Sequence, residues 1–309
     1  MQFTKATRKK ARLRLALTGP SGSGKTMAAL MIAKGLGGRV AVLDTEHGSA
    51  SLYAEPITLA NGTRFEPPEF DALELTAPYS PERYIEAIHA AERAGYDTLI
   101  IDSTTHEWSG SGGCLEINDT VAAAKFRGNS WSAWNETTPR HRAFIDAMLQ
   151  APMHIIATGR SKTETAQTEE NGRKKVVKLG MKTEQRDGFE YEFTAVLDLV
   201  HEGHYAIASK DRTGIFTGGD PKPISEETGQ RLSAWLEHGA APESPYLSAD
   251  QVREITERIN EKGVDFPAFM AWVSKGAGVE CAALAQVPKE AYAPIIKKLA
   301  AKQPEKETA

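Results

Sequence analysis

The segment with the most specific chemistry is a glycine-rich stretch early in the chain. It matches the pattern G-x-x-x-x-G-K-[ST] at every position and consists of Gly19, Pro20, Ser21, Gly22, Ser23, Gly24, Lys25 and Thr26. Glycines let backbone N–H groups close around phosphate oxygens, at a helix N-terminus whose dipole favours anions. Lys25 is then expected to reach the β- and γ-phosphates, and the Thr26 hydroxyl to bind Mg²⁺. The segment therefore predicts a phosphate-binding loop (P-loop) with ATP and Mg²⁺ as its cofactors.

A carboxylate at the end of a later apolar run would complete the metal site. Residues 96–102 read Tyr-Asp-Thr-Leu-Ile-Ile-Asp, which predicts a strand that ends in Asp102. This is the Walker B pattern, in which the acid holds Mg²⁺ directly or through water. Ser103 and Thr104 follow and are candidates to assist. The alternative is a strand-terminal aspartate that caps the next helix.

The flanking segments predict the elements that must position these residues. Residues 13–18 alternate in polarity before the glycines, as a strand does, and residues 27–34 are rich in helix formers. Apolar runs predict further strands at 39–44, 153–158, 193–200 and 205–209, and helical periodicity predicts helices over 81–94, 114–126, 131–149 and 225–238. Strands that alternate with helices predict an α/β fold with a mostly parallel central sheet. In such a sheet the ligand binds at the carboxyl ends of the strands.

A long polar segment, residues 161–186, has no apolar periodicity and predicts a functional loop. With Arg160 included, it carries eight Lys or Arg residues against four Glu residues. Cations on a glycine-containing backbone can follow a phosphate chain, so seven of them are candidates for DNA binding: Arg160, Lys162, Arg173, Lys174, Lys175, Lys178 and Lys182. The alternative is a solvated loop without a ligand.

Two tryptophans, Trp131 and Trp134, lie three positions apart within a predicted helix and therefore share one face. Such a pair is compatible with a place in the hydrophobic core. It is also compatible with stacking on nucleic-acid bases. The sequence leaves both interpretations open.

Composition changes along the chain predict its domain organisation. Residues 1–11 form a basic segment, 12–238 an ATPase domain, 239–247 a linker rich in Pro, Gly and Ala, 248–301 a three-helix module and 302–309 a polar tail. The module begins with a capping box at Ser248 and Gln251.

Overall composition predicts a globular protein of the cytoplasm. The net charge of −4 argues against a basic coat over the whole surface, which leaves only local basic patches for a polyanion. Apolar runs are all shorter than the ~20 residues that span a bilayer, and the amino-terminal residues lack the apolar stretch of a secretory signal. The two cysteines, Cys114 and Cys281, have neither zinc-ligand spacing nor the pattern of a disulfide framework.

The residues after the P-loop also carry a family resemblance. Residues 40–47, Val-Ala-Val-Leu-Asp-Thr-Glu-His, resemble the segment of RecA-type recombinases that holds the catalytic glutamate. Glu46 matches that residue, so the resemblance implies that it polarises the water that attacks the γ-phosphate. From the residues alone, a glutamate at the start of a helix is the alternative.

A second element, Lys210-Asp211-Arg212-Thr213-Gly214, resembles the Lys-x-Arg element of RecA-fold ATPases and hexameric helicases. In those families the two cations reach into the active site of the neighbouring subunit. The resemblance implies that Lys210 and Arg212 act in trans and that the protein is a homo-oligomer, either a ring or a filament. Ordinary surface cations are the alternative.

Over residues 12–220 the chain looks like a family of phage-encoded RecA-like P-loop ATPases, some of which are assigned to single-strand annealing recombination. This resemblance implies single-stranded DNA as a partner, held by loops at 109–113 and 160–182. Arg160 stands where recombinases have a glutamine that senses the γ-phosphate. The carboxyl-terminal module is similar to helical tails of phage annealing proteins, which implies contact with a single-strand-binding protein or another recombination protein.

Together these features predict an ATPase that acts as an oligomer on single-stranded DNA in phage recombination, in the cytoplasm of the bacterial host. Two alternatives remain open: a DNA motor or helicase loader, and a nucleotide-gated adaptor that binds partner proteins through the carboxyl-terminal module.

Overall fold

The computed structural model describes residues 10–59, 62–170, 173–238, 246–278 and 281–301, and for residues 163–181 it describes the strands but not the side chains. The predicted polar tail, nearly all of the basic amino-terminal segment and most of the predicted linker lie outside these residues.

Strands and helices alternate along the described chain. The strands are β1 (Arg14–Gly19), β2 (Val40–Asp44), β3 (Ile57–Thr58), β4 (Arg64–Phe65), β5 (Phe70–Glu74), β6 (Thr98–Asp102), β7 (His154–Glu170), β8 (Arg173–Thr183), β9 (Ala195–Leu199), β10 (Tyr205–Asp211) and β11 (Lys222–Pro223). The α-helices are α1 (Lys25–Leu36), α2 (Pro81–Ala94), α3 (Thr105–Ser109), α4 (Cys114–Lys125), α5 (Ser130–Gln150), α6 (Glu226–Glu237), α7 (Ala249–Glu261), α8 (Phe266–Ala277) and α9 (Tyr292–Ala301).

One large sheet organises the first part of the chain. In the described residues it has the strand order β11-β10-β9-β1-β7-β6-β2-β5, with β8 paired to β7. The strands from β9 to β5 in this order run parallel, whereas β10 and β11 add an antiparallel edge. The predicted fold class is confirmed as α/β, with a mostly parallel central sheet and helices near the carboxyl terminus.

Both faces of this sheet are covered, which explains why its strands are continuous apolar runs. Leu15 and Leu17 of β1 face a core cluster that includes Leu30 of α1 and Leu232 of α6. Ala16, between them, faces a second cluster that includes residues of α2 and α5. Successive side chains of one strand therefore enter different cores, as the pleat of a strand requires.

The prediction that residues 161–186 form a loop is wrong in its secondary structure, because most of this segment is a long antiparallel hairpin. Strands β7 and β8 pair from Ser161–Thr183 to Glu170–Arg173. Two strands can pair through their backbones without an apolar face. Because most residues here are polar, the sequence does not show the alternation of apolar and polar side chains by which a strand is usually recognised. The available signal was the content of Thr and Val, which favours strands.

The chain divides into two compact units, Met1–Gly239 and Ala240–Ala309. In the second unit, α7, α8 and α9 pack around a core that includes Ile255, Phe269 and Leu299. The predicted capping box is confirmed, since Ser248 Oγ accepts from Gln251 N at 3.2 Å and Gln251 Oε1 accepts from Ser248 N at 2.9 Å. Among the helices that the structure describes, none combines the length and the apolar character that crossing a bilayer requires.

Candidate nucleotide-binding site

The P-loop joins the end of β1 to the start of α1, and its backbone leaves no room for larger residues. Gly22 and Gly24 have φ angles of 75° and 87°, in the left-handed region that favours glycine. A Cβ atom on Gly19 would lie 2.6 Å from Ser23 Oγ and 2.7 Å from Leu199 O. The glycines are therefore needed for the tight turn between β1 and α1.

Two donors of this loop are poised for an anion. Lys25 Nζ donates to the loop carbonyls Gly19 O at 3.0 Å and Pro20 O at 2.8 Å. Burial lowers the pKa of Lys25, and the nearby carboxylates of Asp102 and Glu46 partly offset this effect. Ser23 Oγ is buried without a hydrogen-bond partner among the described residues. A buried hydroxyl without a partner and a lysine folded onto its own loop fit a triphosphate, because phosphate oxygens would accept from both.

The predicted metal residues lie together at the carboxyl end of β6. Thr26 Oγ1 donates to Asp102 Oδ2 at 2.6 Å, and Thr158 Oγ1 donates to Asp102 Oδ1. Asp102 is 3% exposed, and burial raises its pKa. A carboxylate and a hydroxyl are the oxygen ligands that Mg²⁺ prefers. The residues present therefore fit a Mg²⁺ ion held by Thr26 and Asp102.

The segment that carries Glu46 is held at the same edge of the sheet. Asp44, the last residue of β2, lies opposite Asp102 in the parallel register of β2 and β6. Its carboxylate accepts from Glu46 N at 2.6 Å and from Ala50 N at 2.8 Å. Asp44 thereby fixes the turn after β2 and directs Glu46 toward the site.

Arg160 holds the Glu46 side chain through two hydrogen bonds. Arg160 Nε donates to Glu46 Oε1 at 3.0 Å, and Arg160 Nη2 donates to Glu46 Oε2. Ser103 Oγ donates to the same Oε1 atom at 3.3 Å. Burial pushes the pKa of Glu46 upward, but the hydrogen bonds and charge of Arg160 outweigh it and leave this pKa below its ordinary value. Glu46 is therefore suited to orient a water molecule rather than to act as a strong base.

The sequence did not reveal two histidines beside these residues. His106 Nδ1 lies 2.7 Å from Thr45 Oγ1, and its ring stacks on Tyr79. His204 Nδ1 lies 3.3 Å from Ser23 O, so the turn between β9 and β10 contacts the P-loop. The sequence predicted that turn, but only the pairing of β9 with β1 brings it to the glycines.

A buried network connects the residues after Asp102 to the base of the β7–β8 hairpin. The carboxylate of Glu107 accepts hydrogen bonds from Cys114, His141 and Gln185. Gln185 Nε2 also donates to Thr104 O at 3.1 Å. The two segments are therefore joined by side chains that are themselves buried.

Lys210 and Arg212 lie in a different environment from the P-loop. Lys210 Nζ donates to Glu190 O at 3.1 Å and to Tyr191 O, and Arg212 Nη2 donates to Tyr191 O at 3.5 Å. In the part of the chain that the structure describes, no hydrogen bond or ion pair joins either cation to Lys25, Asp102 or Glu46. Their assignment to catalysis stays a prediction.

Three of the candidate DNA-binding cations have described side chains, and each forms an ion pair. Arg160 pairs with Glu46, Lys162 with Glu184 at 3.8 Å and Lys182 with Asp187 at 2.7 Å. The side chains of the other four lie outside the described residues: Arg173, Lys174, Lys175 and Lys178.

Comparison with known proteins gives the family. A family model described as an AAA domain matches residues 11–223. The chain belongs to the AAA domain family. Among solved structures it is similar to a RadB recombinase crystal structure, with 18% identity and a TM-score of 0.35, covering 70% of this chain and 89% of that one. No curated protein matches the chain. The AAA domain and the geometry of its P-loop together support a nucleotide-binding ATPase.

Proposed function

We propose that the protein is a Mg²⁺-dependent ATPase that assembles into an oligomer and acts on single-stranded DNA in phage recombination or strand annealing. The observation that carries this proposal is the Arg160–Glu46 pair. Arg160 lies where β7 leaves the core sheet and enters the basic hairpin, and its side chain holds the carboxylate beside the P-loop. A ligand that displaces the hairpin, and Arg160 with it, would therefore release the Glu46 carboxylate.

The chemistry assigned to each residue follows from its place in the site. Lys25 and the backbone N–H groups of the P-loop bind the phosphates, and Thr26 and Asp102 hold Mg²⁺. Glu46 orients the attacking water once Arg160 releases it. Arg160 is then free to place its charge near the γ-phosphate, where a cation stabilises developing negative charge.

Binding of DNA is assigned to the β7–β8 hairpin. Its cations outnumber its carboxylates, and its two strands extend from the core beyond the end of β1, since Gly19 pairs with Arg160. Such a ribbon presents charge to a phosphate backbone without reading base sequence. The charge pattern favours DNA over the adaptor function that the sequence also allows.

Assembly is assigned to the Lys210 and Arg212 region. Tyr191 beside these cations is 70% exposed, and the cations bond to backbone carbonyls rather than to carboxylates. We expect Arg212→Ala to bind ATP normally but to hydrolyse it about 1000-fold more slowly than wild type, which is the effect of losing a cation of the arginine-finger type. Phosphate release should partly recover when this variant is mixed with excess Lys25→Ala subunits. No recovery, with sizing showing intact assembly, would contradict action in trans.

Fluorescence anisotropy of a labelled oligo-dT, measured across a salt series with a non-hydrolysable ATP analogue, tests the proposed function. The variant Lys174→Ala with Lys175→Ala should bind more weakly and flatten the log–log salt dependence by roughly 0.7 for each lost phosphate contact. Its control, Arg93→Ala with Lys222→Ala, removes the same charge from exposed positions elsewhere in the AAA domain and should behave as wild type. Wild-type DNA affinity that ignores both ATP and salt would favour the adaptor.

A further inference from the structure

An open groove in the AAA domain is lined by three tryptophans and two arginines: Trp108, Trp131, Trp134, Arg142 and Arg186. It has a volume of about 550 Å³. Trp131 is 88% exposed, which rules out a place in the core. A cluster of large aromatic side chains that remains open to water marks a binding surface, because their burial by a ligand is favourable.

The aromatic part of the groove has a flat, layered geometry. The rings of Trp108 and Trp134 are stacked, with centroids 5.5 Å apart and an angle of 16° between their planes. Trp108 also contacts the buried His141 edge-on at 5.5 Å, which fixes its orientation. Trp131 lies one helical turn before Trp134 on α5. Flat indoles next to one another suit planar ligands that stack in series.

The charged part of the groove is positive. Arg186 Cζ lies 5.5 Å from the centroid of the Trp134 ring, and Arg186 Nη1 donates to Thr138 Oγ1 at 3.0 Å. Arg142 is exposed on α5. None of the described residues that line the groove carries a carboxylate. The acids that neighbour these lining residues in sequence are partly neutralised, since Glu136 pairs with Lys125 and Asp187 with Lys182, each at 2.7 Å.

The groove lies next to the base of the β7–β8 hairpin and next to the helix that follows Asp102. Arg186 follows the end of β8 and the buried Gln185, so it lies at the base of the hairpin. Trp108 belongs to α3, the helix that follows Asp102. A ligand in the groove would therefore contact the hairpin base and the helix behind the metal site at once.

We propose that this groove is a base-stacking subsite for single-stranded DNA. A base stacks on the exposed face of Trp131, while Arg142 and Arg186 contact the adjoining phosphates. The inference rests on the proposed DNA-binding function and adds to it the aromatic contacts that the hairpin sequence lacks. A protein segment is the competing occupant, but a groove with two arginines and no carboxylate complements a polyanion.

The experiment compares oligo-dT with an oligomer of abasic spacers of equal length, which keeps the phosphates and removes the bases. Trp131→Ala should weaken oligo-dT binding about tenfold, since stacking contributes ~1–3 kcal/mol per base, and should leave binding of the abasic oligomer unchanged. The salt dependence should stay as in wild type, because no phosphate contact is lost. Trp131→Phe should restore most of the affinity. Leu149→Ala, a partly exposed residue of the same helix, is the matched control.

The possible outcomes distinguish a failure of the proposed stacking subsite from a failure of the proposed DNA-binding function. Equal losses for oligo-dT and the abasic oligomer, or no loss for either, would overturn the stacking subsite and leave DNA binding by the hairpin intact. Normal oligo-dT binding by Trp131→Ala together with a lost protein partner would assign the groove to that partner. Failure of the wild-type protein to bind any oligonucleotide would overturn the proposed function and the subsite together.

Discussion

The two ends of the central parallel strands both bury charged or titratable side chains, but they satisfy them differently. At the amino ends, Arg14 donates to the backbone carbonyls of Leu13, Leu149, Ala151 and Met153. At the carboxyl ends, Lys25 and Asp44 also have backbone partners, but the candidate metal and water-orienting carboxylates pair with side chains, since Thr26 donates to Asp102 and Arg160 to Glu46. A hydrogen bond to a backbone carbonyl within the fold breaks only when the fold opens locally. A hydrogen bond between two side chains can break when either side chain rotates. We therefore expect substitutions at the amino ends to affect mainly stability, and substitutions at the carboxyl ends to affect mainly ligand binding.

Burial is the largest cause of the pKa shifts of buried groups at both ends. Burial, with help from the charge of Arg12, lowers the pKa of Arg14 to about 10. Burial also lowers the pKa of His154 to about 4, and the neighbouring charges of Arg12 and Arg14 add to the effect. These groups keep fixed partners in the fold. At the carboxyl ends, burial raises the pKa of Asp102, and a bound cation would stabilise its charged form.

The largest expected effect lies at the carboxyl ends. Glu46→Gln should retain ATP binding and lower hydrolysis about 100-fold, because misplacing a reacting group, here the attacking water, costs on the order of 10²-fold. Lys25→Ala should lose ATP binding, since Lys25 contacts the phosphates of the ground state. Isothermal titration with an ATP analogue and a phosphate-release assay separate the two effects, and full activity of Glu46→Gln would remove that residue from the mechanism. Neither variant should change the free energy of unfolding much.

At the amino ends the expected effect is on stability. Arg14→Met should lower the free energy of unfolding by about 3 kcal/mol, because it leaves buried carbonyls without donors. Urea denaturation measures it, and ATP affinity of the folded fraction should be unchanged. Arg12→Met, at an exposed position, is the control and should cost less than about 0.5 kcal/mol. A similar loss in both variants would show that buried hydrogen bonds are not the cause.

Acid should also destabilise the amino ends. His154 Nδ1 accepts from Leu13 N at 2.9 Å, so the neutral imidazole is the form that the fold requires. Its pKa in the folded protein, about 4, lies below the unfolded value of about 6.5. Its contribution is therefore fully present above pH 6.5 and decreases as the pH falls toward 4, by about 3 kcal/mol. His154→Gln, whose amide oxygen can accept the same bond, should reduce that slope in urea titrations at several pH values.

The smallest expected effect on stability has the opposite sign. Asp102→Asn removes a buried charge. One of the Thr26 and Thr158 hydroxyls can turn to accept from the new amide nitrogen, while the other still donates to the amide oxygen. The nucleotide-free protein should therefore melt about 2 °C higher, while Mg²⁺-dependent ATP binding is lost. Since burial raises the pKa of Asp102 in the folded state, the gain should be larger at pH 8 than at pH 5. A lower melting temperature would mean that Asp102 stabilises the fold without a cation.

Local patterns predicted the parts of the fold that depend on near neighbours in sequence. The P-loop, the strand that ends in Asp102 and the turn between β9 and β10 each lie within a short segment. The β7–β8 hairpin also lies within a short segment, but the sequence did not predict it. Its residues are mostly polar, so they show no alternation of apolar and polar positions. Of the two tryptophans left open by their spacing, Trp131 is exposed and Trp134 stacks on Trp108.

The sequence by itself determined which groups were available for phosphate and Mg²⁺, because a P-loop is defined by consecutive residues with fixed backbone needs. Only the tertiary structure decided which other side chains surround those groups. Arg160 and Glu46 are 114 positions apart, and they meet because β1, β7, β6 and β2 end at one edge of the sheet. Arg14 stands shortly after the basic amino-terminal segment, and the packing of β1 against β7 and α5 buries it. Contacts of this kind depend on strand order, which no local pattern of residues specifies.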